Sequence, residues 1–190
     1  KLGIEFDDAL LETFSFHGMI SGEMIAEAAL IYDHEEKNPL LDPYRGDGAR
    51  SDNPYVNFYW DYCGPGKIAY VPLDFINLAE AIEVVKTNGG VPILAHPGIY
   101  LNEDSALLHK ILDAGVQGVE VFSSYHSPEQ TNFYNAATRS AGALITCGSD
   151  FHGKIKKSIK IGSVNCDNQD EELMTALLEA IEKNNYSKSD

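Results

Sequence analysis

Cysteine is the first thing this sequence has little of. Three residues (Cys63, Cys147 and Cys166) in a chain of 190 form no disulfide framework and show no Cys-x-x-Cys spacing. That argues against a cysteine-built structural zinc site and favours a reducing, cytoplasmic location. Positive charge is scarce as well: 14 Lys and Arg stand against 29 Asp and Glu, a net charge of −15. Such a surface repels phosphate backbones, which excludes broad nucleic-acid coating. A small anionic substrate at a cationic metal cluster stays compatible, because the ions would invert the local field. No apolar run reaches the roughly 18 residues of a membrane span. Repeats and low-complexity segments are missing. The opening Lys1-Leu2-Gly3-Ile4-Glu5-Phe6 has neither a starting Met nor a signal peptide, so it reads as the interior of a longer chain.

What is present is ordinary globular material, 44% hydrophobic, enough for one domain or one and a half. Residues 1–74 read as helices and loops. Phe6–Phe14 is a short amphipathic piece, and Ser21 caps a helix running through Ile31. Residues 38–54 are a proline-bearing loop with little that is apolar. An aromatic-rich helix covers Asn53–Tyr62, Gly64-Pro65-Gly66 is a turn, and Lys67–Val71 is a short extended piece. From Phe75 the pattern becomes regular β/α alternation. Helices are expected from the Asn77/Glu80 capping box to Gly89-Gly90, over Glu103–Ala114, from Ser127-Pro128 to Gly142 and over Asp170–Lys183. Strands are expected at Val91–Ala95, Gly118–Phe122, Ala143–Cys147 and Ile159–Val164, with a polar, frayed tail from Asn184. The fold class is therefore α/β, in two parts: a mostly helical cap over 1–74 and a β/α portion over 75–190.

Three of the strand-like runs end in metal-ligand residue types: Ile93-Leu94-Ala95-His96-Pro97-Gly98, Val119-Glu120-Val121-Phe122-Ser123-Ser124-Tyr125-His126 and Ile145-Thr146-Cys147-Gly148-Ser149-Asp150-Phe151-His152-Gly153. His96, His126 and Asp150 are spaced 30 and 24 residues apart. That is about one strand, one helix and two short loops. In a parallel array such spacing brings each strand's C-terminal end to one face, where ligands collect. His96, His126, Asp150 and His152 can thus converge on one rim. Imidazole with carboxylate suits a catalytic Zn, Mn or Fe site. Ser149 is placed to orient Asp150.

Other residues carry two readings each. Glu120 either backs the ligands as an acid or caps a barrel layer. His17, among Phe14, Phe16 and Met19, is a buried structural histidine or a substrate contact. Lys67 is solvated or, near a metal rim, binds phosphate. Tyr55, Phe58, Tyr59, Trp60 and Tyr62 are helix core or a base-stacking platform. His34, His109, Arg45 and Arg50 read as solvent-exposed.

The order His-Pro-Gly (96–98), Gly-Val-Glu-Val (118–121) with His126 beyond, and Gly-Ser-Asp-Phe-His-Gly (148–153) resembles the PHP (polymerase and histidinol phosphatase) superfamily. More narrowly, it resembles its metal-dependent phosphoesterases acting on nucleoside 3′,5′-bisphosphates and short RNA 5′ ends. The match runs from Gly66 to Gly153 and includes Gly66–Pro72. The resemblance implies the C-terminal part of a distorted (β/α)7 barrel with an inserted helical cap, and up to three divalent ions (Mn, Zn or Fe). It implies metal-ligand roles for His96, His126, Asp150 and His152, the last three also catalytic, with His126 or His152 able to serve as a proton donor. Substrate-binding roles fall to His17 and Lys67. The ligand role does not pass to Glu120, because the family's bridging Glu precedes the inserted segment.

Two departures stand out. The family's opening His-x-His, its second His/Asp motif and the bridging Glu are absent and would lie upstream of Lys1. Its Ser-Arg-Pro-His stretch has only Ser21-Gly22-Glu23-Met24 as counterpart, without the Arg and the His, so His17 becomes the candidate substitute. The expected partners are a small phosphorylated substrate (a nucleotide or a short RNA end) and the missing N-terminal part of the same chain. The expected activity is phosphate-monoester hydrolysis, weak or lost in the chain as it stands. Two rivals remain: an amidohydrolase-like C–N hydrolase, whose carboxylated Lys finds no strand-end lysine here, and a non-catalytic module with a decayed site.

Overall fold

A computed structural model describes residues 2–164, 166 and 168–186. The chain divides into two compact units. One comprises Lys1–Asp74 with Phe151–Lys160, the other Phe75–Asp150 with Ile161–Asp190. The break at Asp74 coincides with the start of β/α alternation, while residues 151–160 return to the first unit.

The first unit is built from short helices. Asp7 caps α1 (Asp8–Phe14), accepting the backbone N–H of Ala9 at 2.9 Å. Ser21 caps α2 (Gly22–Tyr32), its hydroxyl accepting from the Met24 amide at 3.4 Å. Pro54 opens α3 (Pro54–Phe58), which widens into a π turn over Tyr59–Cys63. Ala26 and Ala29 of α2 are small enough to let Leu41, Tyr44 and Phe58 close against them as the core. The 38–54 stretch is thus more than a polar loop, since Leu41 and Tyr44 are buried. The aromatic group is core at Phe58 and Tyr62, whereas Trp60 faces solvent.

Arg45 and Arg50 are not free surface cations, a correction to the expectation. Arg45 is mostly buried, pairs with Asp33 at 3.0 Å and donates to the Asp33 carbonyl at 2.8 Å. Arg50 grips both oxygens of Asp61 at 3.0 Å. Tyr44 donates to Asp61 at 2.7 Å, and burial first, then that carboxylate, pushes its phenol far above the ordinary range. Lys67–Val71 is irregular rather than extended, with Ile68 and Val71 exposed.

In the second unit, α4 (Leu78–Thr87) starts at the Asn77/Glu80 box and leads to β1 (Ile93–Leu94). Then follow α5 (Ser105–Asp113), β2 (Gly118–Ser123), α6 (Pro128–Ser140), β3 (Leu144–Gly148) and α7 (Asp170–Tyr186). The strands form a parallel sheet in the order β1-β2-β3. The central strand is a nearly continuous apolar run, as parallel strands covered by helices require. Val119, Val121, Phe122 and Ile145 form the core with Leu108 of α5 and Tyr134 of α6.

Ile159–Val164 forms no strand: Ile161 is 78% exposed and no described strand flanks it. The tail is also more ordered than expected at its start. Asn184 lies within α7 and its amide donates to the Gly90 carbonyl at 2.8 Å. Residues 187–190 fall outside the described residues. Cys147 and Cys166 are joined by a disulfide, against the expectation of none, which removes the compositional argument for a reducing compartment. Cys63 is the remaining thiol, and burial raises it. No helix among the described residues is long and apolar enough to cross a membrane.

Candidate metal-binding rim

The ends of the three parallel strands carry the chemistry of the second unit. His96 follows β1, Glu120 lies within β2, Tyr125 follows β2, and Asp150 follows β3. His96 and Asp150 both adopt left-handed backbone, with φ of 30° and 55°. For residues with a side chain this costs about 1–3 kcal/mol each and persists only where surroundings enforce it. The surroundings are identifiable. Glu120 Oε2 accepts the His96 backbone N–H at 2.8 Å, and the Tyr125 phenol donates to Asp150 Oδ2 at 2.6 Å. Ser124 Oγ donates to the Ser149 carbonyl at 2.9 Å, tying the β2 and β3 exits together one residue earlier.

Glu120 is placed by β2's pleat and by what Gly148 lacks. A Cβ at Gly148 would collide with Glu120 Oε1, so glycine there lets the carboxylate lie across the strand ends. The register shift between Glu120 and Phe122 falls at the same level of the sheet. Tyr100 and Tyr125 meet the His96 ring edge-on, at centroid separations of 6.1 and 5.5 Å. Tyr100 donates to the Ala95 carbonyl, and burial followed by the Glu120 charge raises its phenol.

His96 Nδ1 is buried and has no hydrogen-bond partner. An orphaned imidazole nitrogen beside a carboxylate-bearing strand end is the donor set a divalent cation satisfies. The donor types at the two strand ends, imidazole and carboxylate, are those that divalent cations take. Among the described residues, no three His, Cys, Asp or Glu side chains gather into a group that could hold one alone.

His126 is put to a different use. Its Nδ1 lies 2.8 Å from the Val121 carbonyl and its Nε2 accepts the Gly98 N–H at 3.0 Å. With Nε2 accepting from Gly98, the nitrogen facing the Val121 carbonyl is the one placed to donate. The ring stacks on Tyr134 at 5.2 Å, and Gln130 completes the clamp by donating to the Gly98 carbonyl at 3.1 Å. With both nitrogens committed, His126 holds the turn after His96 instead of presenting a lone pair. Beside it opens a cavity of about 380 Å³ lined by Ser123, Ser124, Thr131, Asn132 and Ser163, with no charged side chain in its wall.

His152, His17 and Lys67 belong to the first unit. His152 is exposed and its carbonyl accepts the Ile155 amide at 3.1 Å. His17 sits at the tip of a tight turn closed by Phe16 and Met19; it is exposed rather than buried, with φ of 51°. Lys67 is exposed in a turn whose amide bonds to the Gly64 carbonyl. His34 and His109 are surface residues, as expected.

Sequence reasoning missed Tyr125. Its only signal was position: it is the aromatic residue just before His126 in the loop that leaves the central strand.

No family model matches the chain. It is 35% identical over 94 residues to a 3′,5′-nucleoside bisphosphate phosphatase from Chromobacterium violaceum, covering 48% of this chain and 33% of that protein. It is 32% identical over 95 residues to the 5′-3′ exoribonuclease Rnm of Escherichia coli, covering 48% and 32%. The chain thus spans about a third of the length of these curated relatives. A crystal structure described as a candidate metal-dependent phosphoesterase from Bifidobacterium adolescentis superimposes with a TM-score of 0.66 at 24% identity. That superposition covers 94% of this chain and 57% of the other, a likeness of fold. These relatives bear out the resemblance to the PHP-type phosphoesterases.

Proposed function

We propose that this chain is part of a metal-dependent phosphoesterase that hydrolyses a phosphate monoester of a nucleotide or similar small substrate. One observation carries the reading: His96, with a buried unpartnered Nδ1, and Asp150 stand on enforced left-handed backbone at strand ends that Glu120 and Tyr125 tie together. Strain of that kind collects at functional sites. His96 and Asp150 would hold a divalent ion (Mn, Zn or Fe), and by the motif alone His152 joins them. A bound ion polarises a phosphate oxygen and makes water a nucleophile at neutral pH. The protein's own contribution is to fix the donors, with His126 holding the His96 turn rather than ligating.

Substrate class follows from charge and lining. A chain at −15 disfavours long nucleic acid, whereas the uncharged cavity beside His126 suits the neutral part of a nucleotide. Residues 1–74 serve as the helical cap, with His17 and Lys67 as its candidate phosphate contacts; such lids exclude water and shape substrate choice. A nucleotide or RNA-end substrate implies a cytoplasmic site of action.

The test is phosphate release from a nucleoside 3′,5′-bisphosphate with added Mn²⁺ or Zn²⁺, using the chain and any longer protein that carries it. Asp150→Ala should abolish release while the fold is kept. Unchanged release in Asp150→Ala would place the chemistry elsewhere. Since no three-donor group gathers among the described residues, a binding module is the second reading; absence of release from any phosphate ester would favour it. Amide hydrolysis is the weaker alternative.

A further inference from the structure

The cavity of about 380 Å³ at the end of β2 has on its wall a residue whose polar atom the fold does not use. Ser123 is the last residue of that central strand and is 6% exposed. Its Oγ has no hydrogen-bond partner among the described residues. Buried hydroxyls are normally paired, because burial removes their water and an unpaired one regains nothing. Of the buried side chains left with such an atom, Ser123 alone lines the cavity. The crevice beyond the carboxyl end of a parallel strand is also where open α/β sheets take their ligands, and the volume is that of a small-molecule site.

The walls come from three held segments. Ser124 follows Ser123 and is fixed by its bond to the Ser149 carbonyl at 2.9 Å. α6 supplies Thr131 and Asn132 from its early turns, and the Ser127/Gln130 capping box sets where that helix starts. Ser163 and Val164 close the third side, and the Cys147–Cys166 disulfide ties the chain just beyond them to β3.

The wall chemistry selects among ligands. No charged side chain lines the cavity, so an ion entering it would lose water without gaining a counter-charge. An anion would also meet Glu129 in the first turn of α6, whose carboxylate accepts the Ser127 hydroxyl at 2.8 Å. A flat base finds little to stack on: Phe122 is buried in the core, and the His126 ring already stacks on Tyr134. What the wall offers is hydroxyls, at Ser123, Ser124, Thr131 and Ser163, and the Asn132 amide. Groups that both donate and accept suit a neutral ligand rich in hydroxyls.

We propose that this cavity seats the ribose of a nucleoside, and that Ser123 selects it by hydrogen bonding to one of the sugar hydroxyls. The choice of ribose among hydroxylated ligands rests on the phosphoesterase reading. The binding itself requires neither a metal ion nor a phosphate.

The experiment titrates the chain with adenosine, and in parallel with adenine, in the absence of metal, following the amide NMR signals of β2 and α6. Adenosine should shift the signals around Ser123 and Thr131, and adenine should not. Ser123→Ala should weaken adenosine binding about fivefold, the usual worth of one neutral hydrogen bond. Its urea midpoint without ligand should stay the same or rise, since the substitution deletes an unpaired buried hydroxyl. A midpoint that falls would show that the hydroxyl serves the fold, and would overturn the assignment. Adenine binding as tightly as adenosine would overturn the choice of ribose. Equal adenosine affinity in Ser123→Ala and the unaltered chain would remove Ser123 from the site. If adenosine moves no signal up to its solubility limit, the inference fails; phosphate release measured on the same preparation then decides whether the phosphoesterase reading fails with it.

Discussion

Gly148→Ala is the most demanding test of the rim, because the structure sets its cost by a choice between two penalties. The new methyl meets Glu120 Oε1, the end of a flexible side chain. Either the carboxylate stays and is overpacked, at about 1–3 kcal/mol, or it swings away. Swinging away breaks the 2.8 Å bond to the His96 amide. Losing a hydrogen bond to a charged group costs about 1.5–3 kcal/mol. The cheaper route sets the outcome, so destabilisation of about 2 kcal/mol is expected. In a Glu120→Ala background the collision disappears. There the same substitution should be neutral or stabilise by about 0.5–1 kcal/mol, since Ala restricts the unfolded chain more than Gly. The assay is urea unfolding of the four proteins of the cycle, followed through the amide NMR signals of β2 and β3; the single tryptophan, Trp60, lies in the other unit. Costs that add within about 0.5 kcal/mol would refute the placement of Glu120 against Gly148.

Other expectations follow from the same contacts. Reducing the Cys147–Cys166 disulfide, which closes a loop of 19 residues, should cost about 3 kcal/mol in urea unfolding with and without a thiol reductant. Leu108→Ala, in a fully buried position of α5, should lose about 2–5 kcal/mol by the same measurement. Tyr44, Tyr55, Tyr100 and Tyr134 all have phenols raised above 10.0 by burial, so the fold holds their protonated forms. Their contribution is complete below pH 10 and is lost as pH rises above it, where the unfolded chain ionises first. A urea midpoint that does not fall between pH 9 and pH 11, on the order of this window, would contradict the burial of these residues.

What could be read from the sequence was mostly local. Ser21, Asn77 and Ser127 announce their helices because a cap acts within three residues of itself. The strands before His96, His126 and Asp150 were legible because a buried parallel strand is an apolar run bounded by turns. What stayed hidden was long-range. Arg45 looked like a loop cation, and only the fold brings Asp33 to it. Cys147 and Cys166 meet because the chain after residue 160 packs back on β3. Ile159–Val164 has strand composition, yet no strand lies beside it to supply a ladder. His126 shows the limit most clearly. Its residue type and spacing suit a ligand, and only the positions of Val121 and Gly98 reveal that its nitrogens are committed.

The left-handed backbone at His96 and Asp150 constrains how such a chain can change over evolutionary time. On the proposed function, each site faces two independent filters, one conformational and one chemical. The conformational filter passes Gly, Asn, Asp and, less readily, His. The chemical filter passes side chains that can donate to a cation. At position 96 (φ 30°) the easiest neighbour to drift to is Asn, which keeps the turn and forfeits the imidazole. At position 150 (φ 55°) Asn again keeps the backbone and discards the negative charge. A descendant that has abandoned the chemistry but kept its architecture should therefore carry asparagine at these positions more often than alanine.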